Sequence, residues 1–298
     1  MKFKKIVSVV LAMSMMAAFA GCSKVKSISG EDFVKACENM GAEEVDPEDS
    51  NDVDENDYED GVYMILDQDY IEEHMSDADT SVGMYGIDTP DFSAVINTDD
   101  IEEMTVFVKA DQNIDHINSA DDIEDLEMDA VAAVQITLSE DDLAEDIMAN
   151  LADSIDEYLG IDVEDLSSNA YYTGKNQGYL KVHVDAEDIV AAFLDSDIYD
   201  LISAFSEDSD EIEEQLESMT GGVSTAFYIN GENIVILIGV NVTEDNALLS
   251  DFCSELGVAD PSKLPSNPEV AEGIINYVDD TFGSLISTYS SYATSYDF

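Results

Sequence analysis

Apart from carboxylates, side chains able to do chemistry are few in this chain and scattered along it. The histidines are His74, His116 and His183, far apart and without a shared ligand spacing. The cysteines are Cys22, Cys37 and Cys253, and no two form a C-x-x-C pair. There is no G-x-S-x-G, no P-loop, no strand-to-helix G-x-G-x-x-G and no H-E-x-x-H. The sequence therefore names no catalytic residue, no cofactor and no metal ligand set. Carboxylates are the opposite case, with 69 acidic residues against ten basic ones, all lysine. In such a crowd, a pair set for acid–base work on a glycosidic bond cannot be picked out, because its spacing is spatial. Zero Trp weighs against carbohydrate stacking, although 14 Tyr could substitute.

The densest acidic run spans 43–60, where eleven of eighteen residues are Asp or Glu. A calcium loop needs oxygen ligands at positions 1, 3 and 5, Gly at 6 and Glu at 12. Starting at Asp52 supplies Asp54 and Asn56, but Asp57 falls on the Gly position and Tyr63 on the Glu position. The run reads instead as a solvated linker that condenses cations loosely.

The first 24 residues set an address. Lys2, Lys4 and Lys5 precede an apolar run from Ile6 to Ala20, broken only by Ser8 and Ser14. That run is short of the roughly 20 apolar residues that span a bilayer, and a basic leader before a short apolar core has the form of an export signal. It ends Phe19-Ala20-Gly21-Cys22. These residues resemble the bacterial lipobox, with Phe19 in place of the commoner Leu. The resemblance implies cleavage after Gly21, a diacylglyceryl group on Cys22 and anchoring on the extracytoplasmic face of the cell membrane. The two acyl chains of that group would make the anchoring stable, where one alone binds marginally. The stretch SGEDFVKACENMGAEEV from Ser29 is similar to the opening of clostridial-type extracytoplasmic lipoproteins, a group without assigned chemistry.

Charge narrows the partners. The formal net charge is −59, and removal of the leader takes away three lysines and no acid. Nucleic-acid binding, which needs cationic neutralisation of phosphates, is excluded. The expected partners are the membrane, through the lipid on Cys22, and divalent cations or cationic peptides and proteins. Cys37 and Cys253 could form a disulfide in an exported protein. Both also lie on apolar helical faces, as buried free thiols do, and the residues leave both readings open.

The elements that would position these groups follow from periodicity. Strands are predicted at Val62–Leu66, Met104–Val108 and Ala130–Leu138, with a hairpin over 170–184 and a second turning at Asn230-Gly231. Helical periods begin near Ser29, Asp67, Ser139, Asp185, Asp210, Thr243 and Asn267. His183 alternates with Lys181 and Asp185 and reads as facing solvent or a helix edge. QITLSEDDLA, VHVDAEDIVA and VNVTEDNALL share one plan of strand, cap, acidic first turn and helix. This plan predicts an α+β fold in which ββα-like hairpin–helix units build antiparallel sheet, with helices on one face. The organisation read from the sequence is a signal peptide at 1–21 and a lipidated tether, short helix and acidic linker at 22–61. α+β regions follow at 62–128 and 129–287, with a tail at 288–298. Function reads as a non-catalytic binding or interaction protein, the alternatives being an envelope spacer or an unrecognised hydrolase.

Overall fold

A computed structural model describes residues 25–47, 60–74, 95–96, 98–110, 129–140, 143–167, 169–205, 213, 216, 220–241 and 247–279. Cys22, His116, Thr243, residues 52–59 of the trial calcium loop, most of the helix expected from Asp210 and the tail lie outside these residues.

The chain is α+β, as its periodicities predict. Among the described residues eight strands form a single sheet: β1 (Glu43–Glu44), β2 (Val62–Asp67), β3 (Ile101–Ala110), β4 (Asp129–Leu138), β5 (Tyr171–Gly174), β6 (Gln177–Asp185), β7 (Gly222–Asn230) and β8 (Asn233–Asn241). Their spatial order is β1-β2-β3-β4-β8-β7-β6-β5. Every pairing is antiparallel except β1 with β2. β3 pairs with β4 across the sequence position 128/129, and β4 pairs with β8 at the centre, so one sheet runs through both regions. The helices are α1 (Gly30–Asn39), α2 (Gln68–His74), α3 (Ala144–Leu159), α4 (Ala186–Leu194), α5 (Asp197–Phe205), α6 (Ala247–Leu256) and α7 (268–279).

The helices cover both faces of the sheet rather than one. On one face α1 and α6 pack over Tyr63, Phe107, Val131, Ala133, Ala226, Val235 and Leu237. On the other, α2, α3, α4 and α7 cover Met64, Val106, Val134, Ile136, Leu180, Phe227 and Ile236. The cause is visible in strands such as Val62-Tyr63-Met64-Ile65-Leu66, which are apolar at successive positions. A strand wet on one side would alternate; one covered on both sides need not.

The three strand-to-helix junctions are accordingly not copies of one unit, since α3 and α4 return to one face and α6 to the other. Ser139 does not cap α3: its N–H bonds Asp100 O at 2.9 Å, which holds it to the sheet, and the helix begins at Ala144. The α3 stop is at Gly160, whose φ of 67° is the left-handed conformation that suits glycine. Asp185 is the N-cap of α4, but its side chain makes no capping bond there. The single helix expected beyond Asp185 is two. Ser196 Oγ donates to Phe193 O at 2.6 Å and accepts from Tyr199 N at 3.2 Å, closing α4 and opening α5. Asp279 of α7 then accepts from Asp197 N and Ile198 N, both at 2.9 Å. β1 lies within the acidic stretch expected to be solvated, pinned to β2 by Glu43 N to Gly61 O and Val45 N to Tyr63 O. The tight turn of the last hairpin is centred on Gly231-Glu232, one residue beyond the predicted pair, since Asn230 pairs with Asn233.

Candidate functional site

The two described cysteines sit in the core beneath α1 and α6. Phe107 stacks on Phe252 with centroids 4.5 Å apart, and Phe33 meets Phe252 edge-on at 5.6 Å. Cys37 and Cys253 belong to this cluster, and both are buried free thiols. Burial pushes both thiols well above the usual cysteine range. Glu38 adds to this at Cys37; at Cys253, Asp260 adds to it and Lys181 opposes it.

The strongest concentration of polar side chains lies on the same face, where β6 and β7 meet. Alternation places Lys181 and His183 of β6 beside Ser224, Ala226 and Tyr228 of β7, with His183 directly opposite Ser224. His183 Nδ1 is 2.9 Å from Ser224 Oγ, and its Nε2 is 2.9 Å from Asp185 Oδ1. The 258–267 segment closes over this row. Tyr228 donates from its hydroxyl to Ala259 O at 2.7 Å. Asp260 accepts from Ser262 N at 2.9 Å and Ser262 Oγ at 2.7 Å, and also from Ser250 Oγ. Asn267 N donates to His183 O at 3.0 Å, Asp185 N donates to Ser266 Oγ at 2.8 Å, and Ser266 Oγ donates to Asp188. The short β5 leaves this end of β6 open, and the chain crosses there from the α1 face to α7 on the other.

Serine, histidine and aspartate in a hydrogen-bonded line invite comparison with an acyl-transfer triad. Such a serine must reach a substrate carbonyl. Ser224 is fully buried in the middle of a sheet, under the segment that the histidine itself helps to hold. The line fastens the sheet: His183 satisfies the buried hydroxyl of Ser224, and Asp185, half exposed at the strand end, satisfies the other ring nitrogen. Of the two placements read for His183, facing solvent or a helix edge, the first is not met, since only 12% of its side chain is exposed. Its partner Ser224 carried no signal in the sequence, because α4 and α5 separate β6 from β7. Among the described residues no group of three His, Cys, Asp or Glu side chains could hold a metal ion. No described helix is long and apolar enough to cross a membrane.

Fold and site together define an α+β protein with a doubly covered sheet and a hydrogen-bonded Ser224–His183–Asp185 line at the end of β6. Comparison with protein-family models, with curated proteins and with solved structures finds no match for the chain.

Proposed function

We propose that this chain is a lipid-anchored protein of the extracytoplasmic membrane face whose acidic body binds cationic partners without catalysis. The lipobox-like leader supports the anchor: it has the basic start, the short apolar core and the small residues before Cys22. One observation carries the binding half of the reading. The sheet is covered on both faces and its histidine is spent on Ser224 and Asp185, so recognition is left to an exterior on which every described carboxylate except that of Asp129 is at least partly exposed. A surface of one sign attracts the opposite sign over several ångströms and rejects its own. Basic segments of neighbouring proteins fit it best, with divalent cations condensing diffusely around it. The anionic body is also repelled by an anionic leaflet, so attachment falls to the acyl chains.

Two measurements test the halves separately. Mass spectrometry of the membrane-extracted protein should find a diacylglyceryl-modified Cys22 as its N-terminus; an unmodified sulfur there would end the anchor reading. Calorimetric titration with a lysine decapeptide should give binding that weakens about tenfold or more between 20 and 300 mM NaCl. Absence of binding at low salt would end the cationic-partner reading.

A further inference from the structure

The two edges of the sheet are built differently. At one end β1 is two residues long, and both are exposed glutamates. Short length and like charge are ordinary ways of blunting an edge against further strands. At the other end β5 reads Tyr171-Tyr172-Thr173-Gly174, without a charge or a proline. It pairs only on its β6 side among the described residues. Tyr172 is the exposed large hydrophobic side chain of the described structure, at 40%, and it leans on Tyr179 of β6 with centroids 5.2 Å apart.

Antiparallel pairing turns the backbone groups of alternate residues away from the neighbour. Tyr171 N–H is already bonded on the outer side, to Ser167 O at 3.3 Å. The next outward residue is Thr173, which offers both an N–H and a C=O, while Tyr171 still offers its C=O. Two carboxylates lie near its Tyr171 end. Burial raises the Tyr171 hydroxyl above the usual phenol range, a hydrogen bond with the Thr173 side chain opposes this, and Glu164 and Asp153 add to it. A second copy of this chain would bring the same negative field and is disfavoured by it. A cationic strand is favoured by the field and finds backbone partners waiting.

We propose that the outer edge of β5 accepts an extended basic segment of a partner protein as a ninth strand, with Thr173 as its hydrogen-bonding centre and Tyr172 as its apolar contact. This rests on the cationic-partner reading above and adds the place and the conformation. Strand addition takes affinity from main-chain bonds and specificity from alternate side chains. Lysines alternating with valines would set one row toward the carboxylates and the other against Tyr172.

The experiment uses the full mature chain, an alternating lysine–valine decapeptide and the same peptide with proline at two central positions. Fluorescence anisotropy should show the unbroken peptide binding at least about tenfold more tightly than the proline-broken one. Hydrogen exchange on the unaltered chain should slow at the Thr173 amide when the unbroken peptide is added. Thr173→Pro should lower affinity for the unbroken peptide to that of the broken one, whereas Thr173→Val, which keeps the N–H and removes only the hydroxyl that bonds Tyr171, should leave that affinity in place. Equal binding of both peptides, or unchanged exchange at Thr173, would overturn the edge proposal and leave the cationic-partner reading standing. Binding of neither peptide would overturn both. Self-association abolished by Thr173→Pro, without peptide binding, would assign the edge to a second copy and overturn the proposal.

Discussion

Asp129 opens β4 yet works at a helix terminus 118 positions away. Its Oδ2 accepts from Ala247 N, the first N–H of α6, at 2.8 Å. A carboxylate suits the positive end of a helix, and this one is buried. Asp129→Ala is expected to destabilise the protein by about 1–3 kcal/mol, because it orphans the helix end and removes a buried charge-assisted bond. Urea unfolding measures it; an unchanged midpoint would show that the bond contributes nothing. The thiols give a second prediction. The thiolate is the reactive form of cysteine, and burial keeps Cys37 and Cys253 protonated well beyond pH 8. A thiol reagent at pH 8 should label neither residue in the native protein and both in denaturant. At this scale the sequence is least legible. The apolar neighbours of Cys37 and Cys253 marked both as core. Nothing local marked Asp129 as the cap of α6, or Ser224 as the partner of His183, since both pairings depend on which strands and helices come together.

Elements are more legible, because periodicity is a local signal. The spans of β2 and β4 and the end of α3 at Gly160 sit within a residue or so of their expected places. The departures share one physical source, the neighbour that claims a residue. Ser139 was free to cap only if the residue preceding β3 did not hold it, and Asp100 O does. The continuous apolar period past Asp185 concealed the break at Ser196, which a side-chain hydroxyl and the distant Asp279 stabilise together. The one-face arrangement failed because consecutive apolar residues in a strand feed two cores. The close approach of α7 to the end of α3 offers a test at this scale. A Cβ on Gly273 would lie 2.7 Å from Leu159 O, against backbone that cannot step aside as a side chain could. Gly273→Ala should cost about 1–3 kcal/mol, since an added methyl in a tight contact forces the elements apart. Thermal melting should show a lower midpoint; an unshifted one would mean that α7 floats on the sheet.

For the molecule as a whole, the main force acting outside the core is self-repulsion. With a formal net charge of −59 the compact state gathers like charges that the unfolded chain spreads out. Added NaCl should raise the melting temperature through the range where the Debye length falls from about 30 to 3 Å. Magnesium at equal ionic strength should raise it further, because divalent ions condense more strongly on clustered carboxylates. A melting curve indifferent to both would mean that the native exterior is no more crowded with charge than the unfolded chain. Composition alone made this property legible. The sheet order was not, because β4 and β8 are brought together from far apart.

That central seam governs how the molecule can come into being. Gln135 and Asn233 bond across it over 98 positions, so everything from β5 to β7 must exist before β8 can arrive. Pairings between remote segments form late and slowly, since a long loop must close before any contact rewards it. A nascent chain that ends short of residue 233 presents β4 as a raw, apolar, ten-residue ledge. Such a chain is a substrate for chaperones or a seed for aggregates, and half of this protein should not survive alone.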